Sequence, residues 1–385
     1  MAMLMKRLSV SNILSIDDAR YVAKCFKDYY LRFESIQDYQ YECLKYRDFV
    51  PSLFGDDELI FNDFDMSPED MNFKIHSVDT MVQGKDKYHQ LFSNLLELTG
   101  SNQIERSIPG RKLRWLIEET NSGKYVGMIR MGSPTTYSKP RNDLLGEVAE
   151  LKHLNHRMVM GFNIVPTQPF GYNYLGGKLL SLLCCSHEMK RQFDEKYGTD
   201  LAFFETTSLY GSSKASSQYD GLKPYIKYIG LSISDLVPLI QGELYEHLCD
   251  YFKARNNNEH LVPLTASSRK RKMQTKWVAE VKKSMKDFPD EKKDFMDTIT
   301  YAKNLTERKR TFSCNYGYKN SKEVILGQED TLIPDPVNFH KYELNTLIEY
   351  WRKKATKRYN KLKEEGRLRT QVETWDGQTK IDMIR

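Results

Sequence analysis

The stretch from Met158 to Gly198 constrains the fold more than any other. Met158 to Val165 is an apolar run that reads as a buried strand, and Pro166 and Pro169 end it. Phe170-Gly171-Tyr172-Asn173-Tyr174-Leu175-Gly176-Gly177-Lys178 follows. Beyond it Leu179, Leu182, Leu183, Met189 and Phe193 recur at helical spacing until Gly198, a C-terminal cap. A strand, a glycine-containing turn and a helix in that order belong to α/β architecture. The glycines let backbone N–H groups approach an anion, and the helix adds its N-terminal partial charge. Asn173, Gly176, Gly177 and Lys178 are therefore the candidate anion-binding residues, although two glycines before a helix also serve as a plain tight turn.

The flanks extend this pattern. Leu113 to Glu119 and Lys124 to Met131 surround Asn121-Ser122-Gly123 and predict a β-hairpin. Pro140 to Asp143 reads as an irregular polar stretch. Leu201 to Ser208 predicts another strand, and a Gly211 to Ser217 loop leads to a Tyr-rich segment that predicts a helix ending at Gly230. Before the hairpin, Ser15 and Asp18 form a capping signal for a helix carrying Ile16, Ala19, Val22, Ala23 and Phe26, and Tyr88 to Leu98 predicts a further helix. Asp56 to Asp70 holds seven acids and no base, without the spacing of a calcium loop. Division at 1–110, 111–232 and 233–385 follows: an acidic, mainly helical region, an α/β core, and a basic, mainly helical extension.

The charge supports the same division. The chain carries 58 Lys and Arg against 52 Asp and Glu. Residues 1–100 hold 11 bases and 17 acids, which leaves +12 on the remainder. Ser267 to Lys286 carries +7 and Lys341 to Thr370 carries +6. In the second block Leu344, Leu347, Ile348, Trp351, Ala355 and Tyr359 form an apolar stripe, so one helix face packs and the other shows cations. Basic helices interleaved with Trp277, Tyr350, Trp351 and Tyr359 suit nucleic acid, because cations neutralise phosphates and rings stack on bases. A solvated face and buried aromatics are the plainer alternative. Arg269, Arg271, Lys353, Lys354, Lys357 and Arg358 are the candidate contacts, with DNA as the expected partner.

Other classes are disfavoured. No apolar run approaches a membrane span, and Met1 to Val10 lacks the apolar centre of a signal peptide, so a cytoplasmic protein is expected. Six Cys without a CxxC pair predict reduced thiols. His153 and His156 lack a third ligand nearby, so no metal site is expected. Glu205, within an apolar strand, becomes a general base if burial raises its pKa. Tyr219 is a candidate acid or stacking residue. For both, a structural role is the alternative.

Lys124-Tyr125-Val126-Gly127-Met128-Ile129, the strand into Gly176-Gly177, and Tyr225-Ile226-Lys227-Tyr228-Ile229-Gly230-Leu231 together resemble the GCN5-related N-acetyltransferase (GNAT) fold. Leu113 to Leu231 is similar to the Druantia DruA family and to Mom-like phage DNA-modification proteins. Leu113-Arg114-Trp115-Leu116-Ile117, Arg141-Asn142-Asp143, Ile164-Val165-Pro166, Glu205-Thr206 and Ser217-Gln218-Tyr219 carry that likeness over about a third of the chain. The resemblance implies a GNAT-like mixed sheet and an acyl-CoA-type donor whose pyrophosphate meets Asn173, Gly176, Gly177 and Lys178. The usual Arg/Gln-x-x-Gly-x-Gly/Ala reads Asn-x-x-Gly-Gly-Lys here. It further implies transfer of an acyl-derived group to a DNA base amine, with an anti-restriction role, Glu205 as base and Tyr219 in attendance. A non-catalytic DNA-binding component of a defence or counter-defence system, and an acetyltransferase acting on protein or a small molecule, are the alternatives.

Overall fold

The computed structural model describes residues 12–36, 38–39, 57–80, 85–99, 110–208, 216–236, 238–264, 272–305 and 307–374. The chain forms two compact units, and neither is continuous in sequence. One comprises Met1–Tyr46 with Leu236–Thr306, the other Arg47–Asp235 with Glu307–Arg385. These units cut across the division at 110 and 232, for reasons visible in the pairing described below.

The first unit is helical where described: Ile16–Tyr30, Gly242–Arg255, Thr275–Ser284 and Pro289–Asn304. The capping box expected at Ser15 and Asp18 is present. Val22, Phe26, Leu248, Phe252, Trp277, Val281 and Phe295 share one core. Trp277 stacks on Phe252 with ring centroids 5.5 Å apart. It is a packing residue, which corrects the expectation that it interleaves a nucleic-acid-binding face. The cationic positions Arg269 and Arg271 lie outside the described residues.

The second unit is built on a seven-stranded sheet. Its strands are β1 Phe73–Ser77, β2 Lys112–Glu119, β3 Lys124–Gly132, β4 Met158–Pro166, β5 Phe203–Ser208, β6 Lys227–Leu236 and β7 Glu307–Cys314. They lie side by side in the order β1-β2-β3-β4-β5-β7-β6. β4 and β5 run parallel, whereas β1–β2, β2–β3, β3–β4 and β5–β7 are antiparallel. The hairpin between β2 and β3 closes as its sequence predicts. The buried Glu119 carboxylate accepts from the backbone N–H groups of Asn72, Asn121 and Ser122 at 3.2, 3.2 and 2.8 Å, which holds the turn.

Pairing explains the division into units. β1 joins the sheet edge, and the helix Lys85–Thr99 sets Leu91 and Leu95 against Leu116 and Met128. β7, drawn from far along the chain, enters between β5 and β6. One sheet face bears Trp115, Ile129, Ile164, Phe204 and Phe312. Against it pack the helices Gly176–Leu183, His187–Tyr197 and Leu344–Glu364. The opposite face of β4 and β5 bears Met158 and Phe203, which meet Leu145, Leu154, Val324 and Ile325.

Three local expectations change. Lys139–Leu145 is helical rather than irregular: proline occupies its first turn, where a missing N–H does no harm, and Gly146 ends it at φ 88°. The helix expected from Leu179 to Phe193 is two helices, because Ser186 caps a new start by accepting from Met189 N at 3.2 Å. Gly198 is its left-handed C-terminal cap, as expected. The Tyr-rich run ending at Gly230 is turns followed by β6. Pro224 interrupts any helix there, and the β-branched residues that follow find an edge beside β7.

Candidate functional site

β4 and β5 pair only from Met158 with Phe203 to Gly161 with Thr206. β4 then continues to Pro166, and Gln218 fills the space beside it by donating from Nε2 to Ile164 O at 3.2 Å. After β4 comes the short helix Phe170–Tyr174, then Leu175 at φ 55°, then the helix beginning at Gly176. Asn173, Gly176, Gly177 and Lys178 are thus brought together at one turn.

Each of the four is engaged by the protein itself. Asn173 is fully buried; its Nδ2 donates to Arg369 O at 2.8 Å, and its Oδ1 accepts from Arg369 N at 3.1 Å. A Cβ on Gly176 would lie 2.5 Å from Phe170 Cδ1, and one on Gly177 would lie 2.6 Å from Gln218 Oε1. Lys178 Nζ donates to the carbonyl oxygen of Asp220. Burial lowers the pKa of Lys178, with the nearby Asp220 charge opposing the shift. Over the turn, Trp351 Nε1 donates to Tyr174 O at 2.9 Å and Tyr359 stacks on Tyr174 at 5.2 Å. Trp351 and Tyr359 are therefore core residues, which corrects their expected role as base-stacking rings on the basic helix.

Glu205 and Tyr219 are not brought together. Side chains alternate along a strand, and Tyr219 joins the Thr206 side: its hydroxyl lies 3.2 Å from Thr206 Oγ1, and its ring lies 5.0 Å from Phe312. Burial pushes the Tyr219 phenol up to about 12. Glu205 points to the other face, where its Oε2 lies 3.6 Å from Arg141 Nη1, with relative exposures of 1% and 0%. Desolvation raises the Glu205 pKa, and Arg141 and the Ser138 hydroxyl oppose the rise. Glu205 and Tyr219, both candidates from the sequence, thus lie on opposite faces of the sheet.

Two residues escape the sequence reading. Arg141 was legible only as part of a motif, since the helix that aims it at Glu205 is seven residues long. Tyr172, inside the glycine-containing segment, gathers three arginines. The Arg358 and Arg369 guanidinium carbons lie 4.8 and 4.0 Å from its ring centroid, and Arg367 Nη2 lies 3.3 Å from its hydroxyl. Its neighbour on the basic helix, Lys354, sits 5.0 Å over the Tyr350 ring. Lys353 and Lys357 are exposed. Among the described residues no carboxylate pairs with Lys353, Lys357 or Arg358. The arrangement offers a row of cations backed by a rigid apolar seam, and on a separate face a buried carboxyl–guanidinium pair. Among the described residues no His, Cys, Asp and Glu cluster could hold a metal, and no helix is long and apolar enough to cross a membrane.

Residues 56–218 match the family described as Druantia protein DruA. A Druantia protein DruA from Escherichia coli (strain UMEA 4076-1) is 27% identical over 158 residues, covering 37% of this chain and 39% of that protein. The match thus spans about two fifths of the relative's length. The family match over residues 56–218 includes Arg141, Asn173, Gly176, Gly177, Lys178 and Glu205, and it stops one residue before Tyr219. No solved structure matches the chain significantly.

Proposed function

We propose that this chain is a DNA-binding component of a defence or counter-defence system, built on an acetyltransferase-like scaffold that serves as a frame. The observation that carries the reading is the helix Leu344–Glu364. Leu347, Trp351, Ala355 and Tyr359 lock one side of it over the turn, while Lys353 and Lys357 face solvent and Arg358 rests on Tyr172 with no carboxylate partner among the described residues. Cations displayed along one face of a packed helix neutralise phosphates, and such binding is insensitive to sequence. The DruA match supports a role alongside nucleic acid only as a likeness.

The sheet order, with its parallel β4–β5 pair and the turn following β4, supports the GNAT-like frame. It also favours a second reading, in which an acyl-CoA-type donor meets Asn173, Gly176, Gly177 and Lys178 and an acyl-derived group passes to a base amine in a Mom-like, anti-restriction reaction. There Glu205 would take the proton. That reading requires Gln218 and the segment around Arg369 to leave the turn, and Glu205 to act from the other face, so DNA binding without transfer ranks first. An acetyltransferase acting on protein or a small molecule faces the same obstacles and gains nothing from the basic helix.

Two measurements separate the readings. Binding of a fluorescein-labelled duplex should weaken when Lys353, Lys357 and Arg358 are changed together to Ala, to a similar degree for unrelated sequences. Mass spectrometry of nucleosides from host DNA should show no new species on expression; a new acylated nucleoside would move the assignment to transfer.

A further inference from the structure

Of the four aromatics that the sequence interleaves with cations, Trp277, Trp351 and Tyr359 are core residues, whereas Tyr350 stays partly exposed. It belongs to a tract of rings and cations that phosphate binding alone leaves unexplained. Lys354 Nζ lies 5.0 Å over the Tyr350 ring, and the Tyr350 hydroxyl donates to Gly221 O at 3.3 Å and to Lys223 O at 3.2 Å. One helical turn beyond Lys354, Arg358 stands 4.8 Å from the Tyr172 ring centroid, with Arg369 4.0 Å from it. In the other direction Asp220, next to Gly221, pairs with Arg310 at 2.7 Å. Arg310 in turn lies 5.0 Å from the ring of Tyr228, which is 46% exposed. Three tyrosines that reach the surface, Tyr228, Tyr350 and Tyr172, thus each carry a cation, and Lys223, Lys353 and Lys357 are exposed along the same tract.

A duplex keeps its bases stacked inside, so contact with its phosphates gives surface rings nothing to do. A single strand offers phosphates and base faces together. A base stacked on a ring is worth more than an exposed cation–π contact. An incoming base therefore takes the ring, and the displaced cation turns to the phosphate beside it.

The other flank of the helix Leu344–Glu364 points the same way. Phe61 and Phe64 anchor an acidic segment in the core. Its backbone is fastened by Tyr359 Oη, which donates to Phe64 O and Asp65 O, both at 3.1 Å, and by Arg352, which donates to Pro68 O and Met71 O at 3.2 and 2.8 Å. At 100° per residue, Arg352 and Tyr359 lie on the flank away from Lys354 and Arg358. Asp63, Asp65, Glu69 and Asp70 are exposed in this segment, and among the described residues none of their carboxylates pairs with a cation. Carboxylates fixed along that edge repel a second phosphate backbone lying over it.

We propose that the tract is a binding site for single-stranded DNA, whose bases stack on Tyr172, Tyr350 and Tyr228 while Lys353, Lys354, Lys357 and Arg358 take its phosphates. The inference rests on the DNA reading and adds the form of DNA that is bound.

The test titrates the full chain, by fluorescence anisotropy, with a fluorescein-labelled oligothymidylate, a duplex of the same length, and a strand of abasic nucleotides. The oligothymidylate binds about tenfold or more tighter than either of the others. Tyr172→Ala and Tyr350→Ala each weaken it about tenfold and change duplex affinity by about twofold at most. Tyr172→Phe and Tyr350→Phe, which keep the ring and lose the hydroxyl bonds, bind like the parent. Tyr228→Ala, at the most exposed of the three positions, keeps the experiment informative should the others fail to fold, and it too weakens the oligothymidylate. Equal affinity for the oligothymidylate and the abasic strand, or folded Tyr→Ala variants that bind like the parent, would overturn the inference. Tighter binding of the duplex overturns it as well and leaves the DNA reading standing, whereas binding of none of the three overturns both.

Discussion

The Arg141 guanidinium faces the Glu205 carboxylate at 3.6 Å with neither side chain reaching solvent. Charges taken out of water attract strongly, but each also loses its hydration, so removing one partner leaves the other stranded. The two partners differ in how they can respond. A stranded Glu205 can take up a proton, whereas a stranded Arg141 stays charged.

Glu205→Gln leaves Arg141 charged and buried at every accessible pH, and because the parent's own Glu205 contribution is lost as pH rises, the cost of this change should be largest in acid and shrink with rising pH. Arg141→Met should cost less in acid and more as pH rises. The sign follows from linkage: burial raises the Glu205 pKa in the folded state, so its favourable contribution is present below the unfolded pKa and is lost as pH rises through the folded value. Without Arg141 that folded value climbs further. Denaturant unfolding of both variants at several pH values checks this, and equal, pH-independent losses would contradict it.

The glycine turn gives a second contrast. Gly176→Ala drives a methyl against the Phe170 ring, where Gly171 Cα also lies 3.1 Å away. The expected loss is about 1–3 kcal/mol, as for other overpacked sites. Gly177→Ala meets the Gln218 side chain instead, at Oε1 (2.6 Å) and at Cβ (3.1 Å), and Gln218→Ala, which removes the closer atom and keeps Cβ, should relieve most of the clash. A double-mutant cycle in thermal unfolding should show coupling for Gly177 with Gln218 and none for Gly176 with Gln218.

Residues 367–374 are tied to the turn through both Asn173 bonds and through donation from Glu373 N to Gln168 O at 3.0 Å. Asn173→Ala removes two of these ties. Tryptic cleavage after Arg367 and Arg369 should accelerate several-fold, while global stability falls by only about 1 kcal/mol, because the freed Arg369 backbone can turn to water. Unchanged cleavage would mean that Leu368 and Val372, which pack on the core, hold the segment unaided.

What the sequence revealed follows from what is local. The hairpin at Asn121 to Gly123, strand β4 and the Gly198 cap each rest on residues within a few positions of one another. β7 was not legible: Glu307-Arg308-Lys309-Arg310 carries no apolar pattern, and its partners Phe204 to Ser208 are about a hundred residues away. The placement of β7 also sets which parts of the chain form one unit. For the site, Phe203 and Phe204 beside Glu205 fit a buried carboxyl and one at the polar end of the strand equally well, so its burial came from the fold, whereas alternation along the strand already separates Glu205 from Thr206. That Tyr219 would join Thr206 depends on a turn no local pattern fixes. The roles of Trp277, Trp351 and Tyr359 were ambiguous because an aromatic among cations looks the same whether it faces bases or the core.

The central claim is that the cations on the helix Leu344–Glu364 meet DNA phosphates, and the salt dependence of duplex binding tests it most directly. For the parent chain, the logarithm of the binding constant should fall linearly with the logarithm of salt concentration. Changing Lys353, Lys357 and Arg358 to Ala should reduce that slope by about 0.9 for each phosphate no longer neutralised, or roughly 2–3 in total. A parent affinity that does not respond to salt, or a triple variant with an unchanged slope, would contradict the assignment.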